Sequence, residues 1–261
     1  MTLVQHLREL RNRTFVSVLA IAIGFTVAWF FYNDLYDILT RPYRIGLESL
    51  DQNQQDNAKI FASSVSGPFI LQTKVSLVAA ITLTAPVWLY ELWAFILPGL
   101  HRNEKKWTVV FVAVAGPLFL TGVALGYYVM PKGLGVMLGF TPQGLSNFID
   151  VSTYLSFVLR VLLVFGVAFE IPLFVLLLNL AGVVSGKQLG HWRAWIIFAT
   201  FVFAAVATPS TDPVTMLLLA LPMVVLFLLS EVIARILDRR RGRLSEEPNY
   251  DDLDDEEISP L

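Results

Sequence analysis

VLLVFGVAFEIPLFVLLLNL, residues 161–180, carries a single charge, Glu170, near its middle. Twenty residues rising 1.5 Å each reach about 30 Å, the thickness of the hydrocarbon core, so the stretch reads as a membrane-spanning helix. A carboxylate at the bilayer centre costs about 2.5 to 3.5 kcal/mol on insertion scales. Glu170 is therefore a candidate functional residue.

The rest of the chain agrees with a membrane setting. Of 261 residues, 56% are hydrophobic and 15% charged, and the apolar residues come in long blocks. Six blocks read as spans: residues 14–32, 69–97, 107–130, 154–180, 194–208 and 213–236. The expected fold is an all-α polytopic membrane protein. The first block ends in Trp29, Phe30, Phe31 and Tyr32 without a small-residue cleavage site, which reads as a retained anchor. The last two are short. Residues 194–208 are fifteen, and the uncharged run 214–230 is seventeen, about 22 and 26 Å at helical rise, and short spans thin the bilayer around them.

Orientation follows from Lys and Arg, which favour cytoplasmic loops. With both termini inside, thirteen fall on the cytoplasmic side and four (Arg41, Arg44, Lys59, Lys132) outside, Lys74 and Arg160 lying within helices. The organisation is then a cytoplasmic amphipathic N-terminus (1–13), a six-helix membrane domain (14–237) and a cytoplasmic tail (238–261). Outside lie a long polar segment, 33–68, a second, 131–153, and the tight turn 209–213. The tail ends in the acidic SEEPNYDDLDDEEISPL of residues 245–261 and is expected to be disordered, with the Arg239–Arg243 cluster at anionic lipid headgroups.

No catalytic motif is present: the chain lacks G-x-S-x-G, P-loop and H-E-x-x-H patterns, and has no Cys for disulfides or thiolate metal sites. His6, His101 and His191 fall at three separate membrane boundaries, without metal-site spacing. Instead, acids sit among bases on the cytoplasmic face: Glu9 in HLRELRNR (6–13) and Glu104 in HRNEKK (101–106). They suit a cationic ligand. They also suit local pairing, Glu9 with Arg13 one turn on and Glu104 with Lys105 or Lys106.

HLRELRNR at 6–13 and YELWAFILPGLHRNEKK at 90–106 resemble the TatC family, membrane receptors of twin-arginine protein translocation. DVSTYLSF (150–157), FGVAFEIP (165–172), ATPSTDP (207–213) and LALP (219–222) extend the resemblance over roughly residues 3–237. It implies a non-enzymatic receptor and core subunit that binds the paired arginines of signal peptides on folded cargo. It further implies export across the prokaryotic cytoplasmic membrane driven by the proton-motive force. The implied partners are single-span TatA- and TatB-type proteins, membrane lipids and further copies of the chain, with neither cofactor nor nucleic acid.

The resemblance puts Glu9, Glu104, Arg11, Phe95 and Pro98 at the signal-peptide surface. A carboxylate accepts the planar guanidinium fork bidentately, whereas Lys offers a point charge, so fixed acids separate Arg-Arg from Lys-Lys. Asp150, Tyr154 and Asp212 match outer positions with assembly or structural roles, and Asp212 between two prolines also suits a helix cap. Thr208, Thr211 and Thr215 are polar docking points for partner helices, although the family often carries Gln near Thr215. Two rivals stand beside the receptor. One is an ion-coupled secondary transporter with Glu170 as its protonatable site, against which the midplane offers few other polar groups. The other is a membrane scaffold without cargo.

Overall fold

The computed structural model describes residues 3–48, 55, 58–61, 64–96, 105–140, 147–207 and 213–240. Nine helices and two short strands are found among them: α1 (Leu3–Phe30), α2 (Tyr32–Glu48), β1 (Ala58–Phe61), α3 (Gly67–Leu83), α4 (Ala85–Ile96), α5 (Lys105–Gly139), β2 (Asn147–Asp150), α6 (Val151–Leu180), α7 (Gly186–His191), α8 (Arg193–Ala207) and α9 (Pro213–Arg240). The fold is that of an all-α polytopic membrane protein. Four helices (α1, α5, α6, α9) are long and apolar enough to cross a bilayer, and the bent pair α3–α4 makes a fifth such crossing. The sixth expected segment, α8, is an apolar helix of 15 residues, about 22 Å at helical rise and below spanning length by itself.

The second expected span is broken in two. Between α3 and α4 the chain bends by 58° at Thr84, and the local sequence explains it. Pro86 has no N–H to continue the helix and its ring crowds the preceding turn. Thr84 closes α3 instead, its amide and hydroxyl both donating to the Ala80 carbonyl at 2.9 and 2.7 Å. The carbonyl of Ile81, left over by the break, accepts from the Trp88 indole at 2.9 Å.

Part of the expected outer loop is helical. α2 has the opposed faces of an amphipathic helix, and it buries Leu39, Thr40, Pro42, Tyr43 and Gly46 across the ends of α5 and α6. Tyr127 on α5 donates to the Ile38 carbonyl at 2.8 Å, and buried Tyr154 on α6 to that of Leu39 at 2.9 Å. Beyond it, β1 pairs in parallel with β2, Ala58 opposite Asn147 and Phe61 opposite Asp150, which fastens the segment after α2 to the one before α6. Of the polar stretch 51–57, only Gln55 lies among the described residues.

The core runs along α5 and α6, whose approach is close enough to require glycine. A Cβ at Gly122 would meet the Phe165 carbonyl oxygen at 2.5 Å, and one at Gly166 the Phe119 ring at 2.7 Å. α6 is closed off just past its end by Gly182, whose φ of 77° suits a residue without Cβ and lets Val183 N–H reach back to the Leu178 carbonyl at 3.0 Å.

The last helix is longer than its uncharged run. α9 extends for 28 residues, about 42 Å, because the charges beyond Ser230 are compensated. Glu231, its side chain only 2% exposed, is paired at 2.7 Å by both Arg193 and Arg235. Asp238 accepts from the Gly186 amide at 2.6 Å and the Asn179 amide group at 2.9 Å. These bonds hold the α6–α8 connection against α9 and carry order three residues into the expected tail; residues 241–261 lie outside the described ones.

Candidate functional site

His6, Glu9 and Arg13 recur at three- and four-residue intervals and so line one face of α1. Glu91 and Phe95, one turn apart on α4, face them because the bend at Thr84 brings α4 beneath the start of α1. The rings of His6 and Phe95 stack with centroids 4.4 Å apart. Next to them, Arg13 bridges two carboxylates: Nε and Nη2 donate to Oε1 of Glu9 at 3.0 and 2.8 Å, and Nη1 to Oε2 of Glu91 at 2.9 Å. The three side chains are 25%, 26% and 15% exposed, so the cluster is half-sheltered yet reachable. Two acids on one guanidinium leave an excess negative charge in a setting where charge-assisted bonds are strong. A shallow depression beside Glu9 is lined by Gln5, Arg8, Asn12 and Arg13.

The pairing of Glu9 with Arg13 is the one that the spacing of HLRELRNR allows. Glu91 is the residue that spacing could not supply, lying 78 positions from its partner; the only signal was an acid inside the apolar YELWAF, followed by an aromatic one turn later. Arg11 is exposed and turns to the side-chain oxygen of Asn12 at 3.2 Å. Glu104 and Pro98 lie outside the described residues, as do Thr208, Thr211 and Asp212; Thr215 lies in α9, its side chain not among those described.

Glu170 faces α4 as well. Its Oε2 accepts from the indole of Trp93, itself 3% exposed, at 3.2 Å, and its buried Oε1 has no hydrogen-bond partner among the described residues. No ion pair to Glu170 is found there either, in keeping with the ten residues that separate it from Arg160. At the other end of α6, Asp150 caps the helix, accepting from the Thr153 amide at 3.0 Å, and Tyr154 sits in the core with its ring edge-on to Tyr43.

A chain of bent and straight apolar helices, with a partly sheltered pair of carboxylates where α1 meets α4, has clear relatives. The family described as Sec-independent protein translocase protein (TatC) matches residues 5–222. A Sec-independent protein translocase protein TatC of Frankia casuarinae is 45% identical over 268 residues, covering 100% of this chain and 73% of its own length. The TatC protein of Haemophilus influenzae is 34% identical, with 89% and 88% covered. The crystal structure of a twin-arginine translocase receptor, TatC, superposes with a TM-score of 0.74 at 32% identity, covering 88% of this chain and 98% of that one.

The molecule is thus a multi-pass membrane subunit of a protein translocase, a transport component and by family not an enzyme. It belongs to the TatC family of the Sec-independent, twin-arginine system. As such it is a protein of the prokaryotic cytoplasmic membrane that works in a complex with other Tat subunits.

Proposed function

We propose that this chain is the receptor and core of its translocase: it binds the paired-arginine signal peptides of folded precursors at the cytoplasmic face and organises TatA- and TatB-type single-span partners for export driven by the proton-motive force. The observation that carries the reading is the Glu9–Arg13–Glu91 cluster, in which two partly sheltered carboxylates already hold a guanidinium between them. A site that binds one arginine side chain of its own chain has the chemistry to bind another. Glu104 is assigned to the same surface from its place in HRNEKK, with Arg11, Phe95 and Pro98 around it. Residues 1–13 and 238–261 face the cytoplasm in this topology. Glu170 gives polarity to the membrane-embedded face where a partner helix or an inserted signal peptide can hydrogen-bond. Asp212, Thr208, Thr211 and Thr215 are assigned to partner contacts near the last two helices. A carrier built around Glu170 is not favoured, since its one described hydrogen bond is to a buried indole and no ion pair to it is found among the described residues.

The test is photo-crosslinking of a twin-arginine precursor to probes at positions 9 and 104, beside a precursor whose Arg-Arg is changed to Lys-Lys. The receptor reading expects crosslinks with the first and few with the second. Equal crosslinking of both, or none, refutes it.

A further inference from the structure

Resting on the receptor reading, we propose that Arg13 is a resident occupant of the cation site and that Glu91 is its alternative anchor: when an arginine of a ligand takes Glu9, Arg13 passes wholly to Glu91. The geometry of the bonds carries this. Both bonds from Arg13 to Glu9 converge on one oxygen, Oε1, whereas the strong guanidinium–carboxylate arrangement uses two parallel bonds to two oxygens. Glu9 is therefore held by an imperfect fork that an incoming guanidinium, approaching from the exposed depression at Gln5, Arg8 and Asn12, can replace with a better one.

Arg13 does not have to become unpaired in the exchange. Its Nη1 is already bonded to Glu91 at 2.9 Å, and Glu91 is the more sheltered acid, its side chain 15% exposed against 26% for Glu9. Before exchange the cluster holds two negative charges against one positive; afterwards it holds two and two. Beyond these three groups, Arg8 on α1 lines the depression as a further positive charge, α4 carries no charged residue but Glu91, and His6 is engaged in its stack on Phe95. Selectivity follows, because a lysine of the ligand has no planar fork with which to displace one. Glu91 is then a positioning residue: it acts on the ligand through Arg13.

The experiment measures binding of a fluorescein-labelled synthetic peptide, with adjacent arginines ahead of an apolar segment, to the full chain in detergent by fluorescence anisotropy. Glu9→Gln is the control, expected to abolish binding. Glu91→Gln leaves Arg13 no refuge and is expected to weaken binding about tenfold, the scale of one charge-assisted bond. Arg13→Gln removes the competitor and tightens binding severalfold, and the double variant Arg13→Gln/Glu91→Gln binds as Arg13→Gln does. Arg13→Lys, which keeps the i,i+4 pairing but cannot bridge both acids, also tightens binding, and it guards against a folding defect in the glutamine variants. Wild-type affinity for Glu91→Gln overturns the exchange. So does the same loss from Glu91→Gln with and without Arg13, which makes Glu91 a direct ligand. A loss from Arg13→Gln equal to that from Glu91→Gln also overturns it, since the cluster then merely fastens α1 to α4. Retained binding in Glu9→Gln refutes the receptor reading itself.

Discussion

Replacing Gly122 by Ala, beside the same change at Gly126, sets two known quantities against each other in one helix. Each substitution gains about 1 kcal/mol of helix propensity at most. Each also adds a methyl group to the α5–α6 interface, and here the two sites differ. At Gly122 the new carbon falls 2.5 Å from the backbone oxygen of Phe165 and 2.8 to 2.9 Å from the root of the Phe169 side chain, so relief requires the helices to separate by about an ångström. Overpacking costs about 1 to 3 kcal/mol, and a clash with backbone, which no rotamer change relieves, falls in the upper part of that range, at about 2 to 3 kcal/mol. At Gly126 the nearest atoms are Cγ, Cβ and Cδ2 of Phe165 at 3.0 to 3.3 Å, so the neighbour has to give by only a few tenths of an ångström. The sums are a net loss of about 1 to 2 kcal/mol for Gly122→Ala and a change within about 0.5 kcal/mol for Gly126→Ala. At about 2 to 4 °C per kcal/mol for a chain of this size, Gly122→Ala lowers the melting temperature of the detergent-solubilised protein by about 2 to 8 °C, and Gly126→Ala by less than about 2 °C. Size-exclusion chromatography after a heating series measures both. Equal melting temperatures, or a more stable Gly122→Ala, refute the view that α5 and α6 are in backbone contact there.

Asp150→Ala removes the cap of α6 and costs about 1 kcal/mol, read by the same heating series; an unchanged melting temperature refutes the cap. Trp93→Phe leaves Glu170 without its indole donor and costs about 1 to 3 kcal/mol, most of which disappears in a Glu170→Leu background because both partners are then gone; additive losses show that the bond contributes nothing. Export assays are expected to tolerate Glu170→Gln better than Glu170→Leu if the group acts by hydrogen bonding, and loss of export in Glu170→Gln with precursor binding intact argues for proton coupling instead. Tyr154→Phe removes a buried donor from the Leu39 carbonyl and lowers stability by about 1 kcal/mol, without effect on peptide binding.

Local chemistry was legible in the sequence where partners lie within a turn or two. Glu9 with Arg13 could be read from spacing, and the blocks that became α1, α5 and α6 from hydropathy. What spacing could not reach are contacts made across the fold: Arg13 with Glu91, His6 with Phe95, and Trp93 with Glu170, each set by the bend at Thr84. Pro86 marked the place but not the direction of the bend. The 33–68 segment reads as partly ordered but gives no span signal, because only one face of α2 is apolar and Pro42 sits inside it, although the buried residues of that face recur at helical intervals. The block 213–236 already runs past Glu231; what its sequence could not show is that Arg193, 38 positions away, joins Arg235 in neutralising that charge.

The break at Thr84 gives α4 the character of a lever with two loads. Glu91 and Trp93 are two positions apart on it, one reaching Arg13 in the acidic cluster and the other the carboxyl of Glu170. Both lie about 10 to 14 Å from the pivot at helical rise, where a tilt of about 5° displaces a side chain by about an ångström. An ångström is enough to part a hydrogen bond of 2.9 or 3.2 Å. A tilt of α4 about Thr84 would therefore act on both contacts together.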